Sequence, residues 1–192
     1  MSLHLQQDQP SAWVRRFAPL MPRGQALDLA CGGGRHARLL ASLGLEVLAV
    51  DRDPQALAAT AGKRIHTLAF DLERADAESD PAFPLRDGRF SGIVVTNYLH
   101  RPLLPRLLSA LAEGGVLIYE TFAQGNGQFG KPSNPDFLLE PGELLQAVID
   151  HSGRSSLRVI AFEDGYTATP KPAMVQRLCV RRGGSAADNT LG

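Results

Sequence analysis

Residues Ala26 to Asp53, ALDLACGGGRHARLLASLGLEVLAVDRD, leave few folds open. An apolar run, Ala26 to Ala30, is broken only by Asp28. Three glycines follow, Gly32, Gly33 and Gly34, and then a helical pattern with Ala37, Leu40, Ala41 and Gly44 on one face. A second apolar run, Leu45 to Val50, ends on Asp51. Strand, glycine turn, helix, strand and acid in this order make one half of a nucleotide-binding βαβ unit. Glycines reach backbone angles that other residues resist and let a ligand approach the main chain. The helix behind them aims free N–H groups and the positive end of its dipole at that ligand. An acid at the end of the second strand can accept hydrogen bonds from both hydroxyls of a ribose. The ligand expected is a nucleoside that carries an anionic group.

Two ligand classes satisfy that description. Gly32, Gly34 and Ala37 fit G-x-G-x-x-G/A, and Asp51 lies at nearly the dinucleotide spacing. Asp28 points elsewhere. A carboxylate four residues before the first glycine belongs at the C-terminal end of the strand, facing the site, where a pyrophosphate would be repelled and an ammonium group welcomed. S-adenosylmethionine carries an ammonium, a carboxylate, a sulfonium and a ribose.

The run Asp28–Gly34, acid-x-Ala-x-Gly-x-Gly, resembles the first motif of class I S-adenosylmethionine-dependent methyltransferases, with Ala30 where that family most often has glycine. The resemblance extends well over Ala26 to Leu111 and loosely beyond. It implies a Rossmann-like α/β fold: a seven-stranded, mostly parallel sheet with a C-terminal antiparallel hairpin and helices on both faces. It implies S-adenosylmethionine as cofactor, bound by the backbone at Ala30, Gly32 and Gly34, with Asp28 near the methionine ammonium and Asp51 on the ribose. Cys31, Arg52 and Asn97 are further contact candidates. The compact chain and its glycine-arginine-histidine turn are similar to small-molecule methyltransferases of the tellurite and thiopurine group.

The rest of the chain fits the pattern. Ser11 is a cap for a short helix with Trp13, Val14, Phe17 and Leu20. That helix packs on the sheet or helps cover a substrate pocket. Asp53-Pro54 starts a helix through Leu57, Ala58 and Ala61. Ile65 to Phe70 reads as the third strand. Asp71 after it resembles the family position that takes the adenine amino group, with Leu72 against the ring; the alternative is a capping or solvated acid. Phe90 to Asn97 holds Ile93, Val94 and Val95, as suits a central strand buried on both faces. Pro102 and Pro105 open a helix that Glu113-Gly114-Gly115 ends, and Val116 to Tyr119 is the fifth strand. Glu120 to Leu139 is a long loop with Phe122, Phe129 and Phe137, the kind of connection that is functional or disordered. Asn126, Phe129 and Lys131 in it are able to close over a substrate. A helix from Pro141 to Gly153 precedes two strands, Leu157 to Phe162 and Met174 to Val180. A turn at Asp164-Gly165 and the stretch Tyr166 to Pro172 join them, so they pair antiparallel. Residues 1–182 are expected to form one domain, with 183–192 a disordered tail.

Acid and base are balanced at 20 each, which gives no bulk signal for nucleic acid or an anionic membrane. No segment is long and apolar enough to span a bilayer, and no signal-peptide core begins the chain. Two distant cysteines, Cys31 and Cys179, do not form a metal-ligand spacing, and a reducing cytoplasm is the expected setting. Cys31 reads as a small buried residue. A sulfonium methyl is already electrophilic, so the protein has to align a nucleophile at roughly 3–3.5 Å and exclude water. Asn97-Tyr98-Leu99-His100 occupies the place after the fourth strand. His100 is the candidate base, since imidazole titrates near neutrality, or else a helix cap. Tyr98 either orients the acceptor or packs in the core. His36, in the first turn of the glycine-loop helix, is expected neutral and on the surface. The function that follows is methyl transfer to a small acceptor by a monomer or homodimer, with no metal. A nicotinamide-dependent oxidoreductase and a non-catalytic S-adenosylmethionine-binding partner protein are the alternatives.

Overall fold

The computed structural model describes residues 9–74, 76–151, 153 and 156–184. The expected tail, 183–192, lies almost wholly outside them. Seven strands form one sheet: β1 (Gln25–Leu29), β2 (Glu46–Asp51), β3 (Ile65–Ala69), β4 (Phe90–Thr96), β5 (Leu111–Phe122), β6 (Leu157–Thr167) and β7 (Ala173–Arg182). Their order is β3-β2-β1-β4-β5-β7-β6. The first five run parallel, and β7 pairs antiparallel with both β5 and β6. The five α-helices of the described residues are α1 (Ala12–Phe17), α2 (Arg35–Ser42), α3 (Pro54–Thr60), α4 (Leu104–Ala110) and α5 (Glu143–His151).

Alternation along the strands sorts the core into two layers. Ala26, Val47, Ala49, Val94 and Ile118 pack with Trp13, Val14, Leu40 and Leu57, under α1, α2 and α3. Leu27, Leu29, Ile93, Val95 and Tyr119 face the other way and pack with Leu107, Leu108, Leu144 and Val148, under α4 and α5. Strand β4 is buried at every position, as a central parallel strand must be. The local signals in the sequence act as read. Ser11 Oγ accepts from the N–H groups of Trp13 and Val14, and Asp53 Oδ1 accepts from Gln55 N–H at 2.8 Å ahead of Pro54. Trp13 is core: its indole N–H donates to Leu178 O at 3.3 Å and its ring meets Phe17 edge-on at 4.6 Å.

Three local expectations are corrected. Glu113-Gly114-Gly115 does not end a helix. Helix α4 stops at Ala110, and Leu111 already pairs with Phe90, so the glycines lie in an irregular stretch before Gly92 meets Val116. Asp164-Gly165 is not a turn: both residues pair with β7, opposite Gln176 and Val175, and the hairpin reverses further on, at 168–172. The fifth strand continues to Phe122 and the next helix starts at Glu143, which moves the long loop to 123–142.

Candidate functional site

Strand order reverses between β1 and β4, and a crevice opens at the C-terminal ends of such strands. The glycine turn fills one side of it. Ala30, Gly32 and Gly34 all have positive φ, at 54°, 51° and 72°. Gly34 N–H donates to Cys31 O at 3.0 Å, and Cys31 N–H reaches across to Val50 O at 3.0 Å. Thr60, at the end of α3, locks the turn by donating its hydroxyl to Gly32 O at 3.1 Å. Asp51 ends β2 and accepts from Gly32 N–H at 2.8 Å and from Asp53 N–H at 3.0 Å. The carboxylate that ends the second strand therefore also ties down the glycine backbone.

A hollow of about 190 Å³ lies beside this turn. Three carboxylates line it, Asp51, Asp71 and Glu73, with Phe70 and Leu72 as apolar wall and Ala30, Arg52 and Tyr98 completing it. Pockets that enclose a drug-sized ligand run to roughly 300–1,000 Å³. This one is sized for one end of a larger molecule. A Cβ built on Gly32 or Gly33 would meet nothing within 4 Å, so the bare backbone there is open to a ligand.

Of the residues singled out in the sequence, Ala30, Asp51, Arg52, Asp71, Leu72 and Tyr98 come together around the hollow. Asp28 does not. It is 1 % exposed, on the face of β1 that looks at α2, and its Oδ2 accepts from Ala37 N–H at 2.8 Å. The period of two along the strand puts it with Ala26, under the helix start and away from the hollow. Burial is the largest influence on it and lifts its pKa from 3.8 to about 8, against the pull of the Ala37 amide and of Arg35 and Arg38. Cys31 is buried, and burial beside Asp28 and Asp51 raises its thiol to about 12, so it is no nucleophile. Asn97 is exposed, with φ of 55°, and its N–H donates to Glu120 O. His100 is half-buried, does not line the hollow, and makes no side-chain cap to the turn that follows.

His36 is the clearest departure from expectation. It is 1 % exposed. Its Nε2 accepts from Ser11 N–H at 3.1 Å, so the ring proton sits on Nδ1, 3.3 Å from Thr96 Oγ1. Burial, helped by Arg35, lowers its pKa to about 3 and keeps it neutral. It ties α1, α2 and β4 together. Tyr98 is better placed than the sequence shows. Tyr119 donates its hydroxyl to Tyr98 O at 2.8 Å, while the Tyr98 hydroxyl is buried near Glu73 without a well-formed hydrogen bond among the described residues. Burial first, then Glu73 and Asp71, raise its pKa and hold it as a neutral phenol. Phe70, Glu73 and Thr60 escape sequence reasoning. Phe70 and Glu73 carry only their nearness to Asp71 as a signal, and Thr60 carries none.

The sequence profile of the methyltransferase domain family matches residues 26–115, from β1 through the glycines before the main part of β5. The trans-aconitate 2-methyltransferase of Methylobacterium radiotolerans is 33% identical over 149 residues, which are 76% of this chain and 51% of that protein. Over residues 26–115 the chain is thus similar to methyltransferase domains. It spans about half the length of the curated relatives it matches. The fold recurs in solved structures. TehB from Haemophilus influenzae superposes with a TM-score of 0.68 at 17% identity, covering 91% of this chain and 63% of that one. An S-adenosylmethionine-dependent methyltransferase from Mesorhizobium loti gives 0.65 at 17% identity, over 90% of this chain and 98% of its own. This chain closes its parallel sheet with antiparallel strands. Among its described residues no helix is long and apolar enough to cross a membrane.

Proposed function

We propose that this chain transfers the methyl group of S-adenosylmethionine to a small-molecule acceptor, with residues 1–182 working as one domain. The observation that carries the reading is Asp51, fixed at the end of β2 by the glycine turn and facing Asp71 and Leu72 across the hollow. Bound there, S-adenosylmethionine supplies a methyl group made electrophilic by the sulfonium. The chain supplies the hold. A carboxylate offers about four lone-pair sites. Asp51 uses two on Gly32 and Asp53 and keeps two for the ribose hydroxyls. Asp71 Oδ1 accepts from Glu73 N–H at 3.0 Å, which leaves Oδ2 for an exocyclic amine, with Phe70 and Leu72 against a flat base. The open backbone of Gly32 and Gly33 lies over the N-terminus of α2 and suits the amino-acid carboxylate. The fit is also one of charge, since three carboxylates against one guanidinium favour a cationic ligand.

Methyl transfer needs an acceptor lone pair in line with the carbon–sulfur bond. The new bond forms to carbon as the old pair stays on sulfur, and a proton is lost only if the acceptor carries one. Tyr98, a neutral phenol at the hollow, orients the acceptor. His100, two residues on, is the base for acceptors that must lose a proton. Asp28 acts on the cofactor through α2, not by touching it. The small-acceptor reading draws support from the relative named for trans-aconitate. Two free cysteines, both buried, fit a cytoplasmic setting. Thermal shift with S-adenosylmethionine, S-adenosylhomocysteine and NAD tests the proposal. Either sulfur ligand at 100 times its Kd adds about 2.7 kcal/mol, roughly 5–11 °C in Tm. Stabilisation by NAD alone would overturn it.

A further inference from the structure

Strand β6 ends the sheet, and among the described residues only β7 pairs with it. An edge of 11 residues offers its outward N–H and C=O groups to another chain. Proline and lysine commonly blunt such edges, and β6, LRVIAFEDGYT, has neither. It has a bulge at Ile160, where the pairing passes from Val159 opposite Val180 to Ala161 opposite Cys179. A bulge slips the alternation of faces by one. Residues opposite each other share a face, so the partners on β7 assign the sides. Before the bulge, Leu157 and Val159 lie on the side of α4 and α5, and Arg158 on that of α1. After it, Phe162 and Asp164 lie on the side of α4 and α5, and Ala161 and Glu163 on that of α1. Ile160 itself packs with the α1 layer.

That slip makes the edge complementary to itself. In an antiparallel junction with a second copy, centred between Ile160 and Ala161, Leu157 meets Asp164, Arg158 meets Glu163, Val159 meets Phe162 and Ile160 meets Ala161. Each pair occurs twice about a two-fold axis and keeps to one face. A register displaced by one or two residues sets members of opposite faces against each other. A register centred on Glu163 or Asp164 sets like acids directly opposite. The charges favour the same arrangement. Arg158 is exposed and in no ion pair among the described residues. It stands opposite Arg181, which is 4 % exposed and whose Nε and Nη1 have no hydrogen bond among the described residues. Two guanidiniums side by side leave a positive charge to be compensated. Glu163, with a side chain 48% exposed, gives Oε2 to Arg177 at 2.9 Å and has Oε1 to offer. Asp164 is engaged within its own chain, accepting from Gly142 N–H at 2.9 Å. Val159, 36% exposed, gains a cover in Phe162 of the second copy.

We propose that β6 is a self-association edge, through which two copies of this chain join antiparallel into one continuous sheet. The occupant is a second copy because the same residues, Leu157 to Asp164, supply both halves of every pair. The junction lies at the opposite end of the strand order from β2 and β3, where the hollow is, so it stands apart from the methyltransferase reading. A strand junction of this length belongs to the small class of interface, and its Kd is expected on the order of 10 µM.

Sedimentation velocity on the full chain, from about 1 to about 200 µM, tests this. The wild type is expected to pass from monomer to dimer across the series. Arg158→Glu sets acid against acid at both ends of the junction, and Glu163→Arg sets base against base. Each variant alone is expected to associate about 10-fold more weakly or worse. Mixed one to one, the two variants carry opposite charges at both ends, and dimers return as mixed pairs. A second measurement covers the case in which Glu163→Arg upsets the fold through Arg177. Val159→Cys and Phe162→Cys chains, mixed and oxidised, are expected to cross-link to each other, while neither cross-links to itself, because like positions lie too far apart for a disulfide. A wild type that stays monomeric throughout, charge variants that associate as the wild type does, a mixture that stays apart, or cysteine chains that fail to cross-link would each overturn the inference.

Discussion

Asp28→Asn should remove a pH dependence of stability that the wild-type chain carries. Asp28 is 1 % exposed, and burial raises its pKa from 3.8 to about 8. A carboxyl whose folded pKa lies above its unfolded value lends stability that is complete below the unfolded pKa and is lost as pH rises through the folded one. Between pH 5 and pH 7 the folded chain holds a proton here that the unfolded chain has released. Each pH unit then costs about 1.4 kcal/mol, so the interval costs about 3 kcal/mol, or roughly 6–12 °C in Tm for a chain of this size. Asparagine keeps the shape and the acceptor oxygen for Ala37 N–H, but does not titrate. Other carboxyls are perturbed in the opposite direction, Glu78 by Arg106 and Asp80 by the Ala82 amide and Arg74. They act equally in both proteins and cancel in the comparison. Urea unfolding at pH 5, 6 and 7 measures the two slopes. The wild type should lose about 3 kcal/mol more than the variant across the range. Parallel profiles, within about 0.5 kcal/mol, would mean that Asp28 is ionised when buried and that the N-terminus of α2 stabilises its charge.

Asp51→Asn should weaken S-adenosylmethionine binding by about 10- to 100-fold, the range for losing charged hydrogen-bond acceptors, with urea unfolding within about 1 kcal/mol of wild type; unchanged affinity by calorimetry refutes the ribose role. Gly34→Ala should destabilise the chain by about 2–4 kcal/mol, because φ is 72° and the new Cβ would fall 2.8 Å from Thr60 Cβ. Thr60→Ala in the same chain should recover part of that loss, and a thermal melt of the double variant checks it.

Signals within one element of the sequence were legible where a single conformation uses them. Ser11, Asp53-Pro54 and the glycine turn each have one such use. Gly114 and Gly115 do not. A glycine serves equally at a helix end and in an irregular strand pair, and the choice is made by Phe90 meeting Leu111, which no local pattern encodes. Asp164-Gly165 is a turn dipeptide by composition, yet it pairs with Gln176 and Val175, where the antiparallel ladder outweighs glycine's preference. His36 looks like a surface residue because its partners, Ser11 and Thr96, lie 25 and 60 residues away.

The two acids of the nucleotide motif show how far spacing alone reaches. Both are required by the pattern, and spacing says nothing of which way each one faces. Asp28 shares the face of Ala26, so the alternation of β1 turns it to α2. Asp51 lies one residue beyond Val50, whose side chain enters the opposite layer, and its carboxylate comes out at the strand end against Gly32. One acid holds the start of α2, and the other holds the glycine turn at the hollow proposed for the cofactor. Both share the parity of Ala26 and Ala49, so place along the strand separates them: Asp28 stands opposite Ala49 within the ladder, and Asp51 lies beyond the last β1–β2 pair, Leu29 and Val50.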